Sequence, residues 1–231
     1  ISACLVGSEM CIRDRFCPLS SLSLLSATVS VIERESSDCA LKLAAGCESR
    51  CPGCRHRNLS AADSAAQKAA WLRERLAPWA ERLQPLQTVD EAARWAYRRK
   101  VCLSAVWSEA AGWQFGLWRR DELIPIPDCP VHADSVRALV RWLMQVLPPY
   151  PLFPLAFLVQ SGAQATLIVK SHRVASLDGL SVAACEALAA VGLEGLWLHR
   201  HPAAGRRLFA RNGWQLLWGL SLIHISEPTR Q

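Results

Sequence analysis

The sequence predicts an α+β fold, in which a cysteine-rich loop and a helix precede an antiparallel or mixed sheet with helices on one side. Three observations support this prediction. A cysteine-dense tract has no regular period, an Ala-rich segment follows it, and short β-branched and aromatic runs then alternate with helical patterns. The chain has 231 residues, of which 51% are hydrophobic, and a net charge of +6. It can bury a core, which excludes disordered, collagen-like and coiled-coil proteins.

The two ends of the sequence do not resemble ordinary protein sequence. Residues 5–15 and 220–230 back-translate to DNA tracts that are reverse complements of each other, and this DNA is a transposon adaptor used in sequencing libraries. We therefore interpret residues 1–15 and 220–231 as adaptor-derived and exclude them from the fold prediction. The expectation is an internal fragment of a longer protein, with residues 16–38 as a remnant of undefined structure.

The genuine sequence divides into a cysteine-rich segment, 39–96, and a sheet domain, 97–219. In the first, Ser60 begins a helix over 60–83 that Pro78 kinks or divides. In the second, 97–126 predicts a meander of two or three antiparallel strands. A helix over 134–147 follows, capped by Asp134 and stopped by two prolines.

The rest of the sheet domain alternates between strands and a helix. Strands over 155–160 and 165–170 form a hairpin, and a helix over 178–191 ends at Gly192. A strand over 195–199 precedes a hairpin over 208–218, around Asn212-Gly213. Cys102 and Cys185 are expected to be buried structural thiols. No run of about 18 apolar residues occurs, so no transmembrane helix is predicted.

Four cysteines suggest a bound centre. Cys47, Cys51 and Cys54 form a C-x3-C-x2-C motif in a Gly/Pro-punctuated loop, and Cys129 stands far downstream, before a proline. Three thiols within eight residues converge when they fold around something. Disulfides, a zinc ion bound by four cysteines and an iron–sulfur cluster all remain open, because spacing alone does not separate zinc from iron.

The order of the motifs resembles a known enzyme family. The cysteine motif, the Ala-rich helix, the run 97–100 (YRRK), the segment 115–121 (FGLWRRD) and the tract 126–131 (IPDCPV) resemble the [4Fe–4S]-carrying RNA uracil-C5-methyltransferases, which act mainly on ribosomal RNA. The match covers about 47–170, more than half of the chain. The resemblance implies that Cys47, Cys51, Cys54 and Cys129 bind the cluster. Cys39 is the alternative first ligand, because the gap between the first two cysteines is shorter than is usual in the family.

The resemblance also implies which functions lie elsewhere in the parent protein. The family's S-adenosylmethionine domain, with its nucleophilic Cys and general-base Glu, follows the matched segment, and no Gly-rich turn of that kind is found here. We therefore assign no catalytic or S-adenosylmethionine-binding residue, and expect the fragment alone to be inactive.

RNA is the expected partner. Arginine forks bind phosphates and aromatic faces stack on bases, so Arg98, Lys100, Arg119 and Arg120 are predicted to contact RNA. A solvated basic surface over tryptophan core residues is the alternative interpretation. The alternative function is a zinc-binding nucleic-acid-binding module without enzymatic activity. We expect a monomeric cytoplasmic protein that binds no membrane, since reduced thiolates persist in the cytoplasm.

Overall fold

The computed structural model describes residues 43–150, 152–173, 177 and 182–219. The predictions for 1–42, which include Cys39 and the tract 16–38, and those for 220–231 lie outside these residues. The described residues form helices and a seven-stranded mixed sheet, so the predicted α+β class is confirmed. Within these ranges, no helix has both the length and the apolar composition needed to cross a bilayer.

The Ala-rich segment forms helix α1, Ala61–Arg75, as predicted. Ser60 is its N-cap, because the Ser60 hydroxyl accepts a hydrogen bond from the Asp63 N–H, a donor that the start of a helix leaves without a partner. A 3-10 helix, Ala77–Arg82, follows with Pro78 in its first turn. Proline lacks the N–H that a continuing α-helix requires, so the predicted division of this segment is confirmed.

The predicted meander forms one end of the sheet. Its strands are β1, Lys100–Ser108, β2, Gly112–Arg119, and β3, Glu122–Pro125. Trp107 of β1 lies opposite Trp113 of β2, a pairing that suits the pleated surface of a strand pair.

The remaining strands extend the sheet on the other side of β1. The predicted hairpin is present, and its first strand pairs antiparallel with β1. A helix then crosses over to a strand that runs parallel to the second strand of the hairpin, as parallel pairing requires. The strand order is β3-β2-β1-β4-β5-β6-β7. These elements are β4, Leu155–Ser161, β5, Gln164–Val169, α3, Val182–Ala190, β6, Gly195–Arg200, and β7, Trp214–Gly219.

The core lies between the sheet and helices α2, Asp134–Val146, and α3. Successive side chains of a strand point to opposite faces, so alternate residues form this buried layer. Each buried leucine contributes roughly 1.5–3 kcal/mol to folding. The core includes Leu103, Phe115, Leu158, Leu167 and Leu198 from the sheet and Val136, Leu139, Val140 and Leu143 from α2, all exposed by 1% or less.

Two predictions about local structure are wrong. Asp134 does not cap α2: the N-cap is Ala133, and the Asp134 carboxylate instead pairs with Arg137 one turn into the helix. Cys102 is exposed, because it alternates along β1 with the buried Val101 and Leu103 and therefore faces away from the helices. Cys185 of α3 is buried, as predicted.

The predicted hairpin over 208–218 is also wrong. Its second arm is strand β7, but β7 pairs with β6 rather than with residues 208–211. Asn212-Gly213 is a strong local turn signal, yet β6 offers β7 a full strand of hydrogen-bonding partners. Residues 201–213 consequently form a loop between β6 and β7.

Candidate metal centre

The cysteine-rich loop is built from successive tight turns and contains no helix or strand between residues 43 and 59. The Cys47 N–H donates to the Ala44 carbonyl at 3.0 Å, and the Cys51 N–H donates to the Glu48 carbonyl at 3.1 Å. These turns account for the backbone hydrogen bonds of a segment that cannot use a sheet or helix ladder.

Cys129 lies in the loop between β3 and α2, and this loop packs against the cysteine-rich loop. Gly46 has a φ of +77°, and a Cβ at this position would come within 2.3 Å of the Asp128 carbonyl oxygen. A side chain is therefore excluded at Gly46 by both its backbone conformation and its surroundings. Because Gly46 precedes Cys47 and Asp128 precedes Cys129, this backbone contact brings two distant parts of the chain together.

The four thiols lie within electrostatic reach of one another. Burial raises the pKa of Cys47, Cys51 and Cys54, and Cys129 adds to the rise in each case. Cys54 raises the pKa of both Cys47 and Cys51. All four are free thiols in the structure, so none of them forms a disulfide with a described residue. A cluster of thiols of this kind loses its protons readily only when a cation compensates the negative charge.

Arg57 holds the second half of the cysteine loop. Its Nη1 donates hydrogen bonds to the carbonyl oxygens of Cys51, at 2.8 Å, and Cys54, at 3.1 Å. Its positive charge lowers the pKa of the nearby thiols, against the larger effect of burial, and Arg98 does the same for Cys54. The site thus contains two fixed positive charges that favour thiolates.

The cysteine loop rests on the β2–β3 end of the meander. A Cβ on Gly53 would lie 3.1 Å from the Leu117 side chain of β2, which shows how closely the loop backbone approaches the sheet. Arg50 Nη1 lies 2.6 Å from Glu122 Oε1 at the start of β3. Both members of this ion pair are about half exposed, so its contribution to stability is small.

The four basic residues predicted to bind RNA lie at this same end of the sheet. The β1–β2 register places Ser104 opposite Gly116, and its continuation toward the start of β1 brings Lys100 level with Arg120. Arg98 immediately precedes β1 and forms a backbone bridge with His132, next to the Cys129 loop. The structure therefore brings together, at one end of the sheet, the four thiols and four exposed basic residues, which are Arg98, Lys100, Arg119 and Arg120.

Arg57 and His132 are site residues that the sequence analysis missed. The signal for Arg57 was its position three residues after Cys54, within reach of the loop carbonyls. His132 gave no signal, because its burial depends on the fold. His56, which follows the motif, directs Nδ1 to the Ser64 hydroxyl at 2.7 Å.

His132 is a neutral, buried side chain beside the Cys129 loop. It is 4% exposed, and its backbone N–H donates to the Cys129 carbonyl at 3.1 Å. Burial lowers the pKa of His132 to about 4, and the positive charges of Arg98 and Arg137 act in the same direction. Its ring therefore adds no charge to the site near neutral pH.

The donor set fits a metal centre of the all-thiolate kind. Four cysteine sulfurs are the ligands of both structural zinc sites and iron–sulfur clusters. Across the described ranges, however, no three His, Cys, Asp or Glu side chains converge as ligands of a single metal ion. The four thiols are thus neighbours without forming a preassembled single-ion site.

The chain matches no protein-family model, and no curated protein matches it. The function of the four thiols must therefore be argued from their chemistry and from the residues that surround them.

Replacement of Gly46 by alanine tests the contact between the two loops. The left-handed backbone costs about 1–2 kcal/mol for a residue with a Cβ, and the contact with the Asp128 carbonyl adds to it. We expect Gly46→Ala to lower the free energy of unfolding by more than about 2 kcal/mol and to reduce metal content. Gly205→Ala is the control, because the nearest atom to its Cβ would be 3.9 Å away. Equal stability of the two variants in urea unfolding would contradict the contact.

Neutral His132 predicts a specific loss of stability in acid. Its folded-state pKa of about 4 lies below the usual value of about 6.5, so the unfolded chain takes up the proton first as pH falls. The free energy of unfolding should then decrease between about pH 6.5 and pH 4, by up to about 3 kcal/mol from this residue. Urea unfolding across this range should show a smaller decrease for His132→Gln than for the wild type. Identical pH profiles for the two chains would argue against a buried neutral His132.

Proposed function

We propose that Cys47, Cys51, Cys54 and Cys129 hold a [4Fe–4S] cluster, and that the chain is the cluster-bearing, RNA-contacting part of an S-adenosylmethionine-dependent RNA uracil-C5-methyltransferase. The observation that carries the proposal is the contact between Gly46 and Asp128, which joins the cysteine motif to Cys129 at the end of the sheet that bears the basic residues. The cluster, when bound, links the two loops through four thiolates and so supplies a structural cross-link.

The arrangement of the thiols favours a cluster over zinc. A zinc ion binds each sulfur at about 2.3 Å and needs the four sulfurs packed around one point. A four-iron cluster places irons and sulfides between the thiolates and holds them farther apart. Thiols that raise one another's pKa, but do not converge as ligands of one ion, suit the larger group better.

The charges around the thiols agree with an RNA-facing role. Arg57 binds the loop carbonyls, whereas Arg98 lies between the thiols and the start of β1. Lys100, Arg119 and Arg120 are exposed at the same end of the sheet, where they can reach phosphates. In this proposal the cluster fixes the loop, and the loop and β1 together present the basic residues.

The proposal leaves methyl transfer to an S-adenosylmethionine domain of the parent protein. None of the described thiols is assigned the attack on C6 of uracil, because Cys47, Cys51, Cys54 and Cys129 serve as ligands. The cysteines would remain reduced in the cytoplasm, which is the compartment proposed for this protein. A zinc-binding nucleic-acid module is the competing function, and metal analysis separates the two.

We expect chain purified without oxygen to contain iron and acid-labile sulfide near four of each, with a broad visible absorbance. Cys51→Ser and Cys54→Ser should each lose the colour and most of the iron, because each removes a proposed ligand. Cys102→Ser is the matched control, since Cys102 is an exposed thiol on β1, and it should retain both. One zinc per chain and a colourless protein would instead establish the zinc-binding alternative.

A further inference from the structure

A stack of aromatic rings lies on β6, β7 and the loop between them. The rings of His199 and Trp214 are 4.1 Å apart at an angle of 34°, and Phe209 stacks on Trp214 at 5.3 Å and 21°. Trp197 meets Trp214 edge-on at 6.4 Å. His199 is fully buried, whereas Trp214 and Phe209 are 42% and 45% exposed. The stack therefore runs from a buried ring to an exposed one.

The stack lies on the face of the sheet that α2 and α3 do not cover. His199 and Trp214 are directly opposite each other in the β6–β7 pair, so their side chains point to the same face. Leu198, the neighbour of His199, belongs to the core between the sheet and the helices. Alternation along β6 places His199 and its stack on the opposite face.

Hydrogen bonds fix the loop that carries Phe209. The Ala210 N–H donates to His199 Nε2 at 2.9 Å, and Trp214 Nε1 donates to the Ala210 carbonyl at 3.1 Å. Gly213 has a φ of +96°, and a Cβ there would come within 2.4 Å of the Arg200 carbonyl oxygen. The rings are thus ordered before any ligand binds, which reduces the entropy cost of stacking on them.

Unpaired positive charge surrounds the stack. Residues 195–219 contain four arginines and no aspartate or glutamate. Arg206, Arg207 and Arg211 are exposed, and none of the three forms an ion pair with any residue that the structure describes. The surface therefore combines an aromatic face with a local excess of guanidinium groups, and both are needed to bind a base together with its phosphates.

We propose that the stack formed by Phe209 and Trp214 is a platform on which an unpaired base of single-stranded RNA stacks, while Arg206, Arg207 and Arg211 bind the adjoining phosphates. The proposal rests on the proposed RNA-binding function but concerns a separate surface. Five strand spacings of about 4.8 Å separate β2 from β7, so the platform lies about 24 Å across the sheet from the strand that carries Arg119.

The charge favours RNA over a protein partner as the occupant. Exposed aromatic and arginine side chains also occur at protein interfaces. A protein partner, however, would have to supply several carboxylates to match the arginines, whereas every nucleotide of a single strand carries both a phosphate and a stacking face. The ring face of Phe209 and the flanking arginines meet both requirements at once.

The test uses the 231-residue chain and a short single-stranded oligoribonucleotide with one 2-aminopurine base, whose fluorescence is quenched on stacking. We expect Phe209→Ala to weaken binding about 5- to 150-fold, which corresponds to about 1–3 kcal/mol per stacked base, and to abolish the quenching. Phe209→Trp should preserve both. Trp71→Ala is the matched control, because Trp71 is 57% exposed on α1, away from the stack, and its loss should leave binding unchanged.

The outcomes separate this inference from the proposed function. RNA binding with equal affinity by the wild type and Phe209→Ala would overturn the platform and leave RNA binding intact. No RNA binding by the wild type would overturn both the platform and RNA binding, while metal analysis would still decide the cluster. Self-association that depends on Phe209 in sedimentation would make the surface a protein interface and overturn the platform.

A second variant keeps the test decisive if Phe209→Ala unfolds. Arg206→Gln combined with Arg207→Gln changes exposed side chains only, and circular dichroism should be unaltered. We expect weaker binding and a salt slope reduced by about 2, one for each lost phosphate contact. An unchanged affinity and slope would overturn the proposed phosphate contacts and, with them, the platform.

Discussion

The close approach of Gly46 to the Asp128 carbonyl is the contact on which the arrangement of the site depends. It joins a loop without regular secondary structure to the segment between β3 and α2. Without it, Cys129 would have no reason to lie near the other three thiols, since the two loops are far apart in sequence. The contact tolerates no Cβ, so the approach of the two backbones, rather than any side chain packing, sets the distance between the thiols.

The sheet gives this contact a rigid support. The cysteine loop rests on Leu117 of β2, and the Cys129 loop is connected directly to helix α2, whose apolar face is buried in the core. Burial of the thiols and their mutual repulsion oppose ionisation, whereas Arg57 and Arg98 favour it. A bound cationic centre would resolve this opposition, and that is the physical reason for assigning the four thiols to a metal centre.

The sequence was informative wherever a signal is local. Alternation of apolar residues predicted β1, β2, β4 and β5, and Ser60 and Pro78 predicted where the first helix begins and divides. The cysteine spacing predicted the candidate ligands, but whether they hold a metal stays a prediction. Features that depend on long-range pairing could not be predicted. Asn212-Gly213 indicated a local hairpin, yet β7 found its partner in β6, and this pairing also assembles the stack of His199, Trp214 and Phe209.

The central claim is that two distant segments of the chain hold one four-iron cluster. Native mass spectrometry of the chain purified without oxygen tests it most directly, with the wild type and Cys129→Ser compared. The account predicts a wild-type species heavier than the bare chain by four irons and four sulfides, and loss of that species when Cys129 is replaced. A wild-type mass increased by a single zinc ion, or a cluster that persists in Cys129→Ser, would contradict it.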